Sequence, residues 1–253
     1  MQLANKTVLV AGAGGLLGSH LVKALLDAGA KVLAADLDVT LLASKLGRLG
    51  VDNASAMLEL RALDITQEGD VKALFASADL DGAVNTTYPR NSRYGAHFFD
   101  VSLDSFNENL SLHLGSAFLF TQQCAAYFQA RQRPFSLVNL SSIYGVIAPR
   151  FSVYEDTPMT MPVEYAAIKS AIVHLTKYVV AYVKDSRFRA NSVSPGGLRD
   201  GQPPAFLAAY QGQSHGKGML DVDDILGSIL FLLSDASAYV TGQNLTIDDG
   251  FSL

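Results

Sequence analysis

Short apolar runs alternate with longer stretches of helical period along most of the chain. Thr7 to Ala11, Lys31 to Ala35, Leu58 to Leu63, Gly82 to Asn85, Ser136 to Leu140, Arg189 to Val193 and Asn244 to Ile247 have the length and composition of strands. Between them, Leu16 to Ala28, Leu103 to Ala130, Val163 to Val183 and Asp221 to Leu233 repeat apolar residues at helical spacing. Gly29 stands where a helix end favours a left-handed residue. This alternation predicts a mainly parallel sheet with helices on both faces. No repeat, low-complexity segment or linker interrupts it, so residues 1–253 are expected to form one domain. Tyr88 to His97 and Pro149 to Pro162 are irregular, and both follow predicted strands. In an open parallel sheet that is the ligand-binding edge.

Composition narrows the function classes. Hydrophobic residues make up 49% of the 253, ample for an α/β core. A net charge of −5 argues against a nucleic-acid partner, which needs a basic face. No uninterrupted apolar run approaches the ~20 residues of a membrane helix, so no membrane partner is expected. The chain enters Lys6 to Val10 directly, without the pattern of a secretory signal. The lone Cys124 excludes an intramolecular disulfide and lies in an apolar stretch, which predicts a buried, inert thiol and a cytoplasmic location. His20, His97, His174 and His215 show no metal-ligand spacing, and no metal is expected.

Candidate chemistry begins after the first strand. Gly12, Gly14 and Gly15 form a turn that opens a helix, and Gly18 permits close helix–sheet packing. Such a turn lets backbone N–H groups approach a pyrophosphate at a helix N-terminus. Asp36, at the end of the second strand, could accept both ribose hydroxyls of NAD and repel the 2′-phosphate of NADP; the alternative is a helix N-cap. No Arg or Lys lies in the glycine turn or directly after Asp36. Asp64, after the third strand, could accept from an adenine amino group or simply cap a turn.

A second group lies in the other half. Ser142 follows the strand ending at Leu140, and Tyr165 and Lys169 are four apart on one helix face. A phenol is a weak base at neutral pH, its reference pKa being about 10. A nearby ammonium and a positive nicotinamide ring favour the phenolate, and a serine hydroxyl can hold the substrate oxygen in line.

These motifs, in this order, with Val84-Asn85, the Asn191 to Gly197 segment and the ending Thr241-Gly242-Gln243 to Gly250, resemble the short-chain dehydrogenase/reductase family over essentially the whole chain. The resemblance implies a Rossmann-type doubly wound parallel sheet, NAD as cofactor, and catalysis by Tyr165, Lys169 and Ser142. It also implies cofactor contacts from Leu16, Leu17, Ile65, Asn85, Pro195, Gly196 and Leu198, and a homodimer or homotetramer. Tyr-x-x-x-Lys spacing favours carbonyl and alcohol chemistry over enoyl reduction. Tyr88 to Asn91, SSIYGVIAPR from Ser141, MTMPVEYAAIKS from Met159 and the final DDGFSL resemble the flagellin-modification oxidoreductases, bacterial members encoded with enzymes of nonulosonic-acid and amino-sugar synthesis.

Departures from the family pattern also matter. Leu16 stands where the shorter subclass often has glycine, and Asn-Asn-Ala-Gly is here Asn85-Thr86-Thr87-Tyr88. His113 falls where the family has a catalytic asparagine, with Asn109 a competing candidate. Asp200 replaces a common threonine. The stretch before Tyr165 is long and carries Arg150, Tyr154, Glu155 and Asp156, while Arg90 and Arg93 lie on the other irregular loop. Arg90 and Arg150 could converge on a phosphate or carboxylate. The resulting expectation is an NAD-dependent oxidoreductase interconverting a secondary alcohol and a ketone on a sugar or sugar phosphate. The alternatives are a reductase of a simple ketone or acyl substrate and a non-catalytic NAD-sensing protein.

Overall fold

The computed structural model describes residues 3–155 and 157–253. Alternation within each strand sends side chains to opposite faces of the sheet. In β1 (Thr7–Ala11), Val8 and Val10 join one buried cluster while Leu9 and Ala11 join another. β2 (Lys31–Asp36), β3 (Leu58–Ala62), β4 (Gly82–Asn85), β5 (Phe135–Leu140), β6 (Phe188–Pro195) and β7 (Asn244–Ile247) complete one sheet of order β3-β2-β1-β4-β5-β6-β7. Every neighbouring pair is parallel. The chain winds outward from β1 in one direction and then returns to continue from β4 in the other. The switch point therefore lies between the ends of β1 and β4, where Ala11 pairs with Asn85.

Helices cover both faces. α1 (Leu16–Asp27) follows β1 and α2 (Val39–Arg48) follows β2. α3 (Glu68–Ser77) lies in the β3–β4 crossover. α4 (Leu103–Asn109) continues through a π-helical turn (Leu110–Gly115) into α5 (Ser116–Arg131). α6 (Val163–Val183), α7 (Pro204–Gln211) and α8 (Asp223–Leu233) follow. α1 and α8 bury Leu21, Leu25, Ile229 and Leu232 on one face; α3, α5 and α6 bury Leu74, Phe120, Phe128 and Val179 on the other. α6 is long and apolar enough to cross a membrane by length and composition alone, unlike the uninterrupted runs sought in the sequence. Here it packs against β5 and β6, with Glu164, Lys169 and Thr176 buried.

Strands and major helices fall within a residue or two of the expected bounds. The exceptions are the π turn inside what reads as one helix from 103 to 130, and α2, α3 and α7, which the periodicity does not predict.

Candidate active site

The first half of the site forms where β1 turns into α1. Gly12 has φ +82°, and a Cβ there would lie 2.8 Å from Thr86 Oγ1. A Cβ on Gly18 would lie 2.1 Å from the Gly12 carbonyl oxygen, so α1 approaches the turn at a distance only glycine allows. Gly15 is the N-cap of α1 and supplies no side-chain bond to the first-turn N–H groups, which leaves them for a ligand. Asp36 Oδ2 accepts from Gly14 N–H and Oδ1 from Leu37 N–H, both at 2.8 Å. Each oxygen keeps a lone pair for a further donor. The N-cap of α2 is Asp38, not Asp36.

A cavity of about 410 Å³ opens beside this turn, walled by Gly12, Gly14, Gly15, Asp36, Asp64 and Ile65. Asp64 Oδ1 accepts from both the N–H and the hydroxyl of Thr66, so it caps the turn and also lines the cavity. Asn85 is turned into its own loop, accepting from Thr87 N–H at 3.1 Å and Thr87 Oγ1 at 2.7 Å. Leu17 packs against the core instead of a cavity wall.

The second half lies beyond β5. Ser141 donates to the Lys169 carbonyl at 2.7 Å, and a Cβ on Gly145 would lie 2.6 Å from the Lys169 backbone. This close approach of loop to α6 brings Ser142 to Tyr165. Lys169 donates to the Leu140 carbonyl at 2.9 Å, and its ammonium lies 5.5 Å from the Tyr165 ring centroid. Burial pushes the ammonium down to about 7. The Tyr165 phenol is pushed up by burial, opposed by its hydrogen bond with Ser142. The sequence suggests an ammonium that lowers the phenol. Here Lys169 is spent on a carbonyl and, itself lowered by burial, carries only part of its charge at neutral pH, so desolvation decides.

The π turn carries His113 inward, with Nε2 3.5 Å from Lys169 Nζ. Burial, then the charges of Lys169 and Arg90, push the imidazole down to about 2, so it is neutral. Asn109 does not compete for this place. Its carboxamide holds Asn91, the Ser105 carbonyl and Glu164 instead.

Ser142 and Tyr165 line a cavity of about 440 Å³, together with Leu16, Pro195, Gly196 and Leu198. The rest of its wall is largely aromatic and sulfur-bearing, including Tyr144, Tyr154, Met159, Phe206 and Tyr210. Asp200 is the only charged side chain among its described lining residues. Neither expected substrate arginine is in that lining. Arg150 donates to Gln213 Oε1 at 2.9 Å and the Leu253 carbonyl at 2.8 Å and stacks on Phe251. Arg90 lies over the Tyr88 ring, 4.7 Å from its centroid, and Arg93 is 3.7 Å from Glu108. The expected convergence on an anion is thus corrected: loop proximity in sequence does not fix where long side chains point. Asp156 lies outside the described residues.

Tyr88 belongs to the walls of both cavities, and sequence reasoning did not single it out. Its ring meets Tyr165 edge-on at 5.7 Å and lies 5.7 Å from the Lys169 ammonium. The signal was its replacement of the family's glycine. The aromatic wall had only the long insertion before Tyr165 to announce it.

A family model described as Enoyl-(Acyl carrier protein) reductase matches residues 12–252. The post-translational flagellin modification protein A of Campylobacter coli is 37% identical, with all of both chains aligned. A 2,5-dichloro-2,5-cyclohexadiene-1,4-diol dehydrogenase of Sphingobium indicum is 29% identical over 99% of this chain and 98% of its own. A short-chain dehydrogenase of Leptospira borgpetersenii, solved with bound NAD+, superposes with a TM-score of 0.87 at 30% identity, covering 100% of this chain and 94% of that one. With that sheet order, a glycine cradle at its switch point and a serine, tyrosine and lysine at the same edge, the chain belongs to the short-chain dehydrogenase/reductase family of NAD(P)-dependent oxidoreductases.

Proposed function

We propose that this chain uses NAD to interconvert a secondary alcohol and a ketone on a neutral, sugar-type substrate. The observation that carries this is that Tyr88 lines both the glycine-walled cavity and the one holding Ser142 and Tyr165, which places the two side by side. A dinucleotide fits the first cavity: Gly12 and Gly18 leave no room for a Cβ, the first-turn N–H groups of α1 are open, and Asp36 retains acceptor capacity. The nicotinamide, when bound, supplies or accepts the hydride.

The chain's own residues handle the proton. Ser142 orients the substrate oxygen toward the Tyr165 hydroxyl. Tyr165, protonated at neutral pH as the structure stands, donates to that oxygen in reduction; in oxidation it would take the proton as the phenolate, which the positive nicotinamide ring would favour when bound. Lys169 supplies a buried cation held on the Leu140 carbonyl. His113, neutral and beside Lys169, takes the place of the family's asparagine in ordering the proton path.

The likeness to the flagellin modification protein supports a sugar substrate, and the ring alcohol in the diol dehydrogenase's name supports secondary-alcohol chemistry. The lack of a cation among the described residues lining the cavity argues against gripping a phosphate there, so the sugar is proposed without one. Enoyl reduction, named in the family model's description, is disfavoured by the four-residue spacing of Tyr165 and Lys169. The test is a panel of free sugars, sugar phosphates and simple ketones assayed with NAD or NADH. Turnover is expected with neutral polyols and to be lost in Tyr165→Phe. Equal turnover by that variant would remove Tyr165 from the chemistry, and preference for sugar phosphates would remove the neutral substrate.

A further inference from the structure

Lys45 lies far from the glycine turn in sequence, yet α2 carries it onto the wall of the cavity beside that turn. Its ammonium donates to the Gly14 carbonyl. The N–H of the same residue donates to Asp36 Oδ2, so a carboxylate and an ammonium grip Gly14 from its two backbone groups. A Cβ on Gly14 would press on the carboxylate, 3.1 Å from Asp36 Oδ2. Lys45 makes no ion pair among the described residues, and its one hydrogen-bond partner is a neutral carbonyl. It is therefore a half-buried cation with unspent charge, on the wall that Asp36 also lines.

We infer that Lys45 is a specificity-determining residue that lets this chain accept a 2′-phosphorylated dinucleotide alongside NAD. The inference rests on that cavity's taking the adenosine end of the cofactor. Asp36 disfavours a phosphate on the ribose, and Lys45 offsets that by offering a charge-assisted hydrogen bond to it. NAD remains the better ligand, by a margin smaller than Asp36 alone would set. Sequence inspection finds no cation near Asp36, because the one that matters arrives from the last turn of the following helix.

The test is binding, not turnover. Fluorescence titration with NADH and NADPH gives the ratio of their dissociation constants for the unmodified protein, Lys45→Met, Lys45→Gln and Lys45→Arg. Both nucleotides are expected to bind the unmodified protein. The NADPH/NADH ratio is expected to rise about tenfold or more in Lys45→Met and Lys45→Gln, and to return toward the original in Lys45→Arg. As a second measure, 2′,5′-ADP should displace NADH from the unmodified protein better than from Lys45→Met. A ratio that does not change, or no NADPH binding by an unmodified protein that binds NADH, overturns the inference while leaving the cofactor cavity in place. Failure of the unmodified protein to bind either nucleotide removes the cavity's assignment and the inference together.

Discussion

Lys169 should make this protein measurably less stable at neutral pH than a chain without it, and the deficit should shrink as the pH rises. Its ammonium is wholly inside the protein, and burial pushes it from 10.5 down to about 7. Between those values the unfolded chain binds more of a proton at this position than the folded one. Stability therefore rises with pH across the window: it is greatest above the unfolded value and is lost as pH falls toward 7. From pH 7 to 9 the difference runs from half a proton to nearly one, which amounts to about 2 kcal/mol. His113, pushed from 6.5 down to about 2, adds only a small slope near pH 7 from its unfolded imidazole, and since both proteins carry it this cancels in their difference. Lys169→Met keeps the volume and removes the charge, at the cost of the 2.9 Å bond to the Leu140 carbonyl, worth on the order of 1.5–3 kcal/mol. Urea titrations followed by circular dichroism at pH 7, 8 and 9, without nucleotide, give the stability difference between the two proteins at each pH. The Met variant is expected to lose its relative advantage by about 2 kcal/mol across the series. A difference that stays constant, or moves the other way, would refute the idea of a strongly depressed ammonium.

Tyr165→Phe should lower turnover by on the order of 10²-fold or more while NADH still binds, as expected for loss of a general acid–base. Gly18→Ala forces a Cβ to 2.1 Å from the Gly12 carbonyl. It should destabilise by roughly 3 kcal/mol in thermal or urea unfolding and weaken NADH binding, and a fully stable Ala variant would show that α1 can retreat freely. Phe118, Tyr178 and Tyr182 are 50%, 61% and 72% exposed on neighbouring faces of α5 and α6, flanking a groove between these helices. Light scattering is expected to show a homo-oligomer that Phe118→Glu disrupts. A 27.0 kDa particle from the unmodified protein at micromolar concentration would oppose this.

The sheet was legible because its central strands are buried along their whole length and mostly apolar, as in Phe135–Leu140, where only Ser136 and Asn139 are polar. α2 and α3 escaped notice because they bury only Leu42 and Leu46, and Val71, Leu74 and Phe75, too few positions to impose a period. Asp36 stood out because its place at a strand end carries chemistry by itself. Arg150 misled for the opposite reason. A flexible side chain on an irregular loop has many possible partners, and the carbonyl of Leu253, remote in sequence, won it. Lys45 depends on how α2 lies against the glycine turn, and the aromatic cavity wall on how α7 packs against Phe151–Tyr154; neither helix was predicted.

The π turn at Leu110–Gly115 restricts how this chain can change length. Ser105, Asn109, His113 and Ala117 are buried at intervals of four. In a regular α-helix each such interval overshoots a full turn by about 40°, so three of them would carry the last residue about a third of a turn off the face. The wider turn absorbs this drift. Deleting one residue there would restore regular winding but rotate everything downstream by about 100°. Either His113 would leave Lys169, or Phe120, Cys124 and Phe128 would leave the sheet. Insertions and deletions among relatives should therefore gather in 88–97 and 149–162 and spare 110–115, although all three segments border the same site.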